Sequence, residues 1–242
     1  MQRLDVFLVD KGLVKSRKQA QDLIKSGGVF VDENCVTKCS YTVDQTNNVQ
    51  IKAQICPYVP RAGYKLEGAQ RDFELDFTGK VVLDIGSSTG GFTDFCVQNG
   101  AQKVYSVDVG TAQLDPSLRQ NNKIVVMENT DVRTLTKQQV PDINFVVCDV
   151  SFISLTLISA KISELLNSGD MGVVLIKPQF ECGKALAKKY KGVIKDEKIH
   201  KLVITTVVQN FEQNNLIVQK VEQSAIKGGD GNTEFVALIQ KK

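Results

Sequence analysis

The sequence predicts an α/β protein: a mostly parallel sheet with helices on both faces, preceded by a small α+β unit. Three observations carry this. From Gly79 onward, strand-like apolar runs alternate with helix-like ones, the pattern of stacked β-α units. The runs VVLDIG and INFVVCDV are apolar almost throughout and carry Asp or Gly where the chain emerges, as strands covered on both faces must. Finally, 242 residues with 42% apolar content suffice for a sizeable core plus a second, smaller unit.

Residues 1–55 read as that smaller unit. Leu4, Phe7, Leu8 and Val14 mark one helical face. Ser16-Arg17-Lys18-Gln19 then forms a capping box, with Ser16 as N-cap and Gln19 at the third helical position. Ala20, Leu23 and Ile24 form the buried stripe of the second helix, and Gly27-Gly28 ends it. Val29-Phe30-Val31 with Asp32-Glu33-Asn34 begins a strand and a turn. After Pro57 and Pro60, residues Arg61 to Phe73 read as helical. The strands VVLDIG, KVYSVDV, KIVVME, INFVVCDV and MGVVLIK follow, with helical segments between them. A long helix from about Asp196 to Phe211 precedes LIVQKVEQS and EFVALIQ, close enough in sequence to be an antiparallel pair.

Composition narrows the function. No apolar run approaches the roughly 18 to 20 residues of a membrane helix, and the start, MQRLDVFLVDKG, is charged where a signal peptide is apolar. The six cysteines, Cys35, Cys39, Cys56, Cys96, Cys148 and Cys182, are too few for a disulfide scaffold in a chain of this length, so a reducing cytoplasm is expected. Cys35 and Cys39 lack a second pair at metal-site spacing, and no metal is expected. His200, the sole histidine, reads as a surface or packing residue.

Asp84-Ile85-Gly86-Ser87-Ser88-Thr89-Gly90-Gly91 stands between a strand and a helix, where glycines let backbone approach a ligand. A dinucleotide fingerprint needs glycine at Ser88, and a phosphate-binding loop needs a closing Lys-Ser/Thr that is missing. A second strand ends in Asp108, about 20 residues on, where a carboxylate binds ribose hydroxyls. An adenosine ligand without a pyrophosphate fits, and S-adenosylmethionine is one: its ammonium suits Asp84, which would repel a phosphate. Asp131 could accept from the adenine amino group. The expected cofactor set is Asp84, Gly86, Ser87, Ser88, Gly90, Gly91, Phe92, Asp108 and Asp131.

Asp149 and Lys177 end later strands and would share the ligand mouth of a doubly wound sheet, while Glu234 opens the final strand and Lys65 could add a fourth charge. Two lysines and two carboxylates suit methyl transfer to a poor nucleophile such as a sugar hydroxyl. A free lysine titrates near pH ~10.4, so a lysine base working near neutrality needs surroundings that favour the neutral amine by about 4 kcal/mol. Strand alternation turns Cys148 away from Asp149, which argues against a thiol nucleophile.

Taken in order, RLDVFLVDKGLVKSRKQAQDLIKSGGVFVD, RAGYKLEGA, LDIGSSTGGFTD, DVSFISL, IKPQFE and IKGGDGNTEF resemble the TlyA (hemolysin A) family of ribosomal RNA 2′-O-methyltransferases. That family joins an S4-type RNA-binding domain to an FtsJ-like methyltransferase domain. The resemblance implies an S4-like domain over residues 1–57, a linker and connecting helix over 58–79, and a Rossmann-like S-adenosylmethionine-dependent domain over 80–242. It implies a seven-stranded sheet closing in an antiparallel hairpin, and a Lys-Asp-Lys-Glu tetrad falling on Lys65, Asp149, Lys177 and Glu234, with Lys65 placed chiefly by the resemblance. The implied substrate is ribosomal RNA, at a cytidine. The chain departs from the family at Ala62-Gly63-Tyr64, where Gly-Gly-Leu is usual, and at Asp131, where Asn is common.

Positive charge is uneven: residues 1–28 hold six Lys/Arg against three acids, and residues 177–201 hold eight Lys against three. Such clusters suit RNA or ribosomal subunits as partner. The expected RNA contacts are Arg3, Lys15, Arg17, Lys18, Lys25, Arg61, Lys184, Lys188 and Lys189. Three rival readings remain: a methyltransferase acting on a different group, such as a base nitrogen or a small molecule, which would not need Lys177; a membrane-active hemolysin, for which no segment is suited; and an S4-type RNA-binding protein with a silent catalytic domain.

Overall fold

The computed structural model describes residues 1–25, 27–51 and 62–242. The chain divides into two compact units, Met1–Arg61 and Ala62–Lys242. Cys56, Pro57, Pro60 and Arg61, singled out above, lie outside the described residues.

In the first unit, β1 (Gln2–Arg3) leads into α1 (Leu4–Asp10) and α2 (Arg17–Lys25), followed by β2 (Val29–Val31), β3 (Asn34–Cys35), β4 (Thr42–Val43) and β5 (Val49–Ile51). The two helical stripes meet as expected: Leu4, Phe7, Leu8, Val14, Ala20, Leu23 and Ile24 pack with Val29, Val31, Val36 and Val43 into one small core. Ser16 Oγ accepts from the Gln19 N–H at 3.2 Å. Gln19 Oε1 reaches one residue further back than a standard capping box, to the Lys15 N–H at 2.8 Å. Asp32 and Glu33 both adopt left-handed backbone, φ 48° and 67°, the two-residue turn whose twist matches a hairpin such as β2–β3.

The second unit begins with α3 (Gly63–Phe73). Then come β6 (Val81–Ile85), α4 (Gly91–Gln98), β7 (Lys103–Val107), α5 (Pro116–Arg119), β8 (Ile124–Met127), β9 (Phe145–Cys148), α6 (Ser159–Leu165) and β10 (Met171–Ile176). The chain ends with α7 (Pro178–Glu181), α8 (Lys184–Lys189), α9 (Glu197–Gln213), β11 (Leu216–Gln223) and β12 (Phe235–Lys241). Seven strands form one sheet in the order β11-β12-β10-β9-β6-β7-β8. The strands β10, β9, β6, β7 and β8 are parallel, and β12 runs antiparallel to both β10 and β11. The chain order reverses between β6 and β9, the switch point at which such sheets bind ligands.

The core is continuous on the face that includes Leu83, Ile85, Tyr105, Val146, Val174 and Ile239, covered by α6 and α9 residues such as Ile162, Val203 and Phe211. Helix α3, read above as a connector, packs on α4, β11 and β12. His200 is buried, its ring bonded to the Ile194 carbonyl at 3.0 Å and edge-on to Phe235, so it is a packing residue. Cys148 is buried in the core, and burial pushes its thiol far up. Among the described residues no helix is long and apolar enough to cross a membrane, and no cluster of His, Cys, Asp and Glu could hold a metal ion.

Candidate active site

Register alone brings three of the four charges to one edge of the sheet. Cys148 pairs with Val174 and Ile85, so Asp149 leaves the sheet beside the glycine turn. Ile176 stands opposite Phe235, and because β12 is reversed, Glu234 precedes the strand where Lys177 follows its own. The fourth charge arrives on α3. Gly68, one helical turn after Lys65, lets that helix close on Ala225, where a side chain would meet the Ala225 Cβ at 2.6 Å.

The four side chains form one row. Lys177 Nζ lies 2.5 Å from Asp149 Oδ1, Lys65 Nζ lies 3.4 Å from Asp149 Oδ2, and Lys65 Nζ lies 2.7 Å from Glu234 Oε2. Lys65, Lys177 and Glu234 are buried and Asp149 nearly so. Two cations alternate with two anions, so the row is neutral and each buried charge has an opposite neighbour.

Three neighbours were not anticipated. Ser151 Oγ accepts from Lys177 Nζ at 3.0 Å. Gln179 donates to Glu234 Oε1 at 3.4 Å. A Cβ on Gly228 would occupy the place of that same oxygen, so this glycine makes room for the carboxylate. All three lie in segments already singled out, DVSFISL, IKPQFE and IKGGDGNTEF, but nothing in their spacing marks them. Beside Lys177, Phe152 packs on Phe180 with centroids 5.0 Å apart while remaining 90% exposed, on a left-handed backbone of φ 64°. Few bulky residues hold that conformation.

A cleft of about 510 Å³ adjoins the row; Gly86, Ser88, Asp108, Asp131, Asp149 and Ser151 line it. Asp108 accepts from the Ser88 N–H at 2.8 Å and the Gly110 N–H at 2.7 Å; each oxygen retains a lone pair for a ribose hydroxyl. Asp131 accepts from the Arg133 guanidinium at 3.0 and 2.5 Å, which holds its carboxyl below the usual range.

Asp84 departs from expectation. It is fully buried and does not line the cleft. Leu83 and Ile85 belong to the core on one face, so alternation turns Asp84 to the other, toward Thr93 of α4, which donates to Oδ2 at 2.5 Å. Ser87, Gly90, Gly91 and Phe92 are likewise buried outside the cleft lining. These five residues stand behind the turn rather than on the cleft wall.

Burial raises the Asp84 carboxyl to about 7. The native state then holds a proton that the unfolded chain has lost, so stability falls as pH rises from about 4 to about 7. Asp84→Asn removes this dependence and is more stable than the parent at pH ~8; thermal unfolding of both proteins across pH checks it, and parallel curves refute it.

Comparison with known proteins decides the family. A model of the FtsJ-like methyltransferase family matches residues 58–241. The chain belongs to the FtsJ-like methyltransferase family. In front of the FtsJ-like domain, an S4 domain model matches residues 2–49. Hemolysin A of Brachyspira hyodysenteriae is 38% identical over 97% of this chain and 98% of its own length. The 16S/23S rRNA (cytidine-2′-O)-methyltransferase TlyA of Mycobacterium tuberculosis is 35% identical over 98% of this chain and 89% of its own. The solved structure of a Streptococcus thermophilus protein carrying a hemolysin name superimposes with a TM-score of 0.79 at 36% identity, covering all of this chain and 88% of that one.

The methyl donor of such an FtsJ-like domain is S-adenosylmethionine, and the residues present fit it. Asp84 Oδ1 and Ser87 Oγ are buried polar atoms without a hydrogen-bond partner among the described residues, beside the turn. Gly86 lines the cleft; its φ of 80° and the Asp149 carbonyl 3.0 Å from where a Cβ would be leave no room for a side chain, so its bare backbone faces the ligand.

The cleft wall at residues 109–114 hangs on one carboxylate. Glu128 accepts from the N–H groups of Ala112 (2.8 Å), Gln113 (2.8 Å) and Leu114 (3.0 Å) and pairs with Arg119, the guanidinium that above all holds its carboxyl down to about 2. Glu128→Gln should weaken S-adenosylmethionine binding about tenfold, since an amide accepts at only one of its two ends. In the parent Glu128 stays ionised above pH ~4, so its contribution is flat across the working range. Titration calorimetry of both proteins reads the change; equal affinities refute it.

Proposed function

We propose that the protein transfers a methyl group from S-adenosylmethionine to the ribose 2′-hydroxyl of a cytidine in ribosomal RNA, with Lys65, Asp149, Lys177 and Glu234 around the attacking oxygen. One observation supports this above all: Asp149 and Ser151 belong both to the wall of the cleft and to the charged row. A hydroxyl presented to Lys177 therefore lies next to the cleft that would hold the donor.

S-adenosylmethionine, when bound, supplies an electrophilic methyl carbon on a sulfonium. Lys177 does the rest at the nucleophile. Its amine has three directions for hydrogen bonds, two of them engaged by Asp149 and Ser151, and the third is open to the substrate oxygen. As a neutral amine, Lys177 would take the hydroxyl proton on its lone pair while the oxygen accepts the methyl group; as an ammonium it would instead donate to that oxygen and orient it. Asp149 fixes that amine and, through its other oxygen, Lys65. Glu234 holds Lys65 from the opposite side. The exposed ring of Phe152 offers a face against which an unstacked base can rest.

On the substrate side, Lys184, Lys188 and Lys189 are exposed on α8, directly after α7 and Lys177. Arg3, Lys15, Arg17, Lys18 and Lys25 are exposed on the S4 unit. Both sets suit phosphate contacts.

The test is tritium transfer from labelled S-adenosylmethionine to unmodified ribosomal subunits, with nuclease digestion and mass analysis of the labelled nucleoside. Label as 2′-O-methylcytidine is expected. Label on a base defeats the ribose reading, and absence of transfer with bound donor favours the silent-domain alternative.

A further inference from the structure

The first unit buries a carboxylate that no catalytic role absorbs. Asp5, on α1, has no exposed surface at all. Two arginines from different elements converge on it: Arg3 donates through Nε at 2.9 Å and Nη2 at 3.1 Å, and Arg17, at the start of α2, donates through Nε at 3.0 Å. Gln21 adds a fourth donor at 3.0 Å. These donors, the Arg3 guanidinium foremost, hold the Asp5 carboxyl well below the usual range, so it stays ionised under any working condition.

The arginines themselves are not buried. Their side chains are 45% and 56% exposed. Arg17 spends only Nε on Asp5, and its two terminal nitrogens have no partner among the described residues. The carboxylate is thus hidden while the guanidinium edges are presented, each with a fixed inner attachment. An ordinary surface arginine samples many rotamers and loses that freedom when it grips an anion. These two have lost it already.

We propose that Asp5 is a positioning residue that holds Arg3 and Arg17 as a preset pair for RNA phosphates. The proposal rests on the ribosomal RNA reading above and adds to it a reason for a buried acid in an RNA-binding face. Planar guanidinium forks match phosphate oxygens two at a time, which makes their orientation worth fixing.

Simple charge counting makes the opposite prediction, and this decides between them. Asp5→Asn removes a negative charge beside two arginines, so attraction to RNA by net charge alone would rise. Presetting predicts a loss of about tenfold in affinity, because two long side chains must again be ordered on binding. It also predicts that the slope of log affinity against log salt becomes shallower by about one to two, as phosphate contacts are lost.

The experiment is filter binding of the full-length protein to salt-washed, unmodified 30S and 50S subunits over a series of salt concentrations. Weaker binding by Asp5→Asn with a shallower salt slope supports the proposal; equal or tighter binding at unchanged slope overturns it. A merely weakened fold lowers the melting temperature and the active fraction without changing the slope. Should Asp5→Asn fail to fold, Arg17→Lys decides instead, since it keeps the charge and loses the fork: reduced affinity supports presetting and full affinity overturns it. If the parent protein binds neither subunit, the RNA reading falls and this proposal with it, an outcome distinct from one in which only the variants behave like the parent.

Discussion

Lys177→Met lowers the rate of methyl transfer by about a thousandfold while leaving S-adenosylmethionine affinity within about twofold. The amine is the only group in the row that touches both Asp149 and Ser151. It does not line the cleft beside the row, so binding and chemistry should separate cleanly if that cleft is where the donor binds, as proposed. Lys177→Arg tells proton removal from electrostatic grip. Arginine keeps the positive charge but does not give up its proton under working conditions. If Lys177 removes the hydroxyl proton, the arginine variant is as slow as the methionine one. If the charge alone orients and polarises the hydroxyl, part of the rate returns. Single-turnover transfer to ribosomal subunits measures both, and a methionine variant with parental rate would remove Lys177 from the mechanism.

What could be read from the sequence depended on whether a residue's role is set by its own strand or by a distant partner. Asp149 and Lys177 were legible because an apolar run that stops at a charged residue marks a strand end, and parallel strands end on one edge. Glu234 is placed by sequence only in the closing hairpin; it reaches that edge because β12 runs antiparallel to β10, which sets the start of the last strand beside the end of β10. The side that Asp84 takes is illegible for the same reason that its strand is easy to find: with both faces of β6 covered, VVLDI shows no alternation to reveal it.

Gly228 acts through a missing Cβ against Glu234, a contact no local pattern announces. Ser151 and Phe152 lie in an irregular loop, where spacing predicts no direction. Asp5 was least legible of all. No local pattern between Leu4 and Phe7 marks it for burial, which is met by Arg3 beside it and by Arg17 and Gln21 arriving from α2.

Asp149→Asn has the largest expected effect on the molecule as a whole, because among the described residues Asp149 is the only acid that touches both lysines. Neutralising it leaves Lys65 and Lys177 facing each other with Glu234 alone to balance them, and loss of one partner from buried ion pairs costs about 3 kcal/mol. For a unit of this size that lowers the melting temperature by roughly 10 °C. Activity should fall at least as far as in Lys177→Met, since the amine loses its anchor as well as its field. The double variant Asp149→Asn/Lys177→Met then separates the two consequences. Removing the now uncompensated lysine restores a good part of the lost stability, so the two changes are non-additive in thermal unfolding, yet activity stays at the floor set by either change alone. Additive losses of stability would mean that the two side chains do not share one electrostatic row, and the proposed route for orienting the ribose hydroxyl would then lack its physical basis.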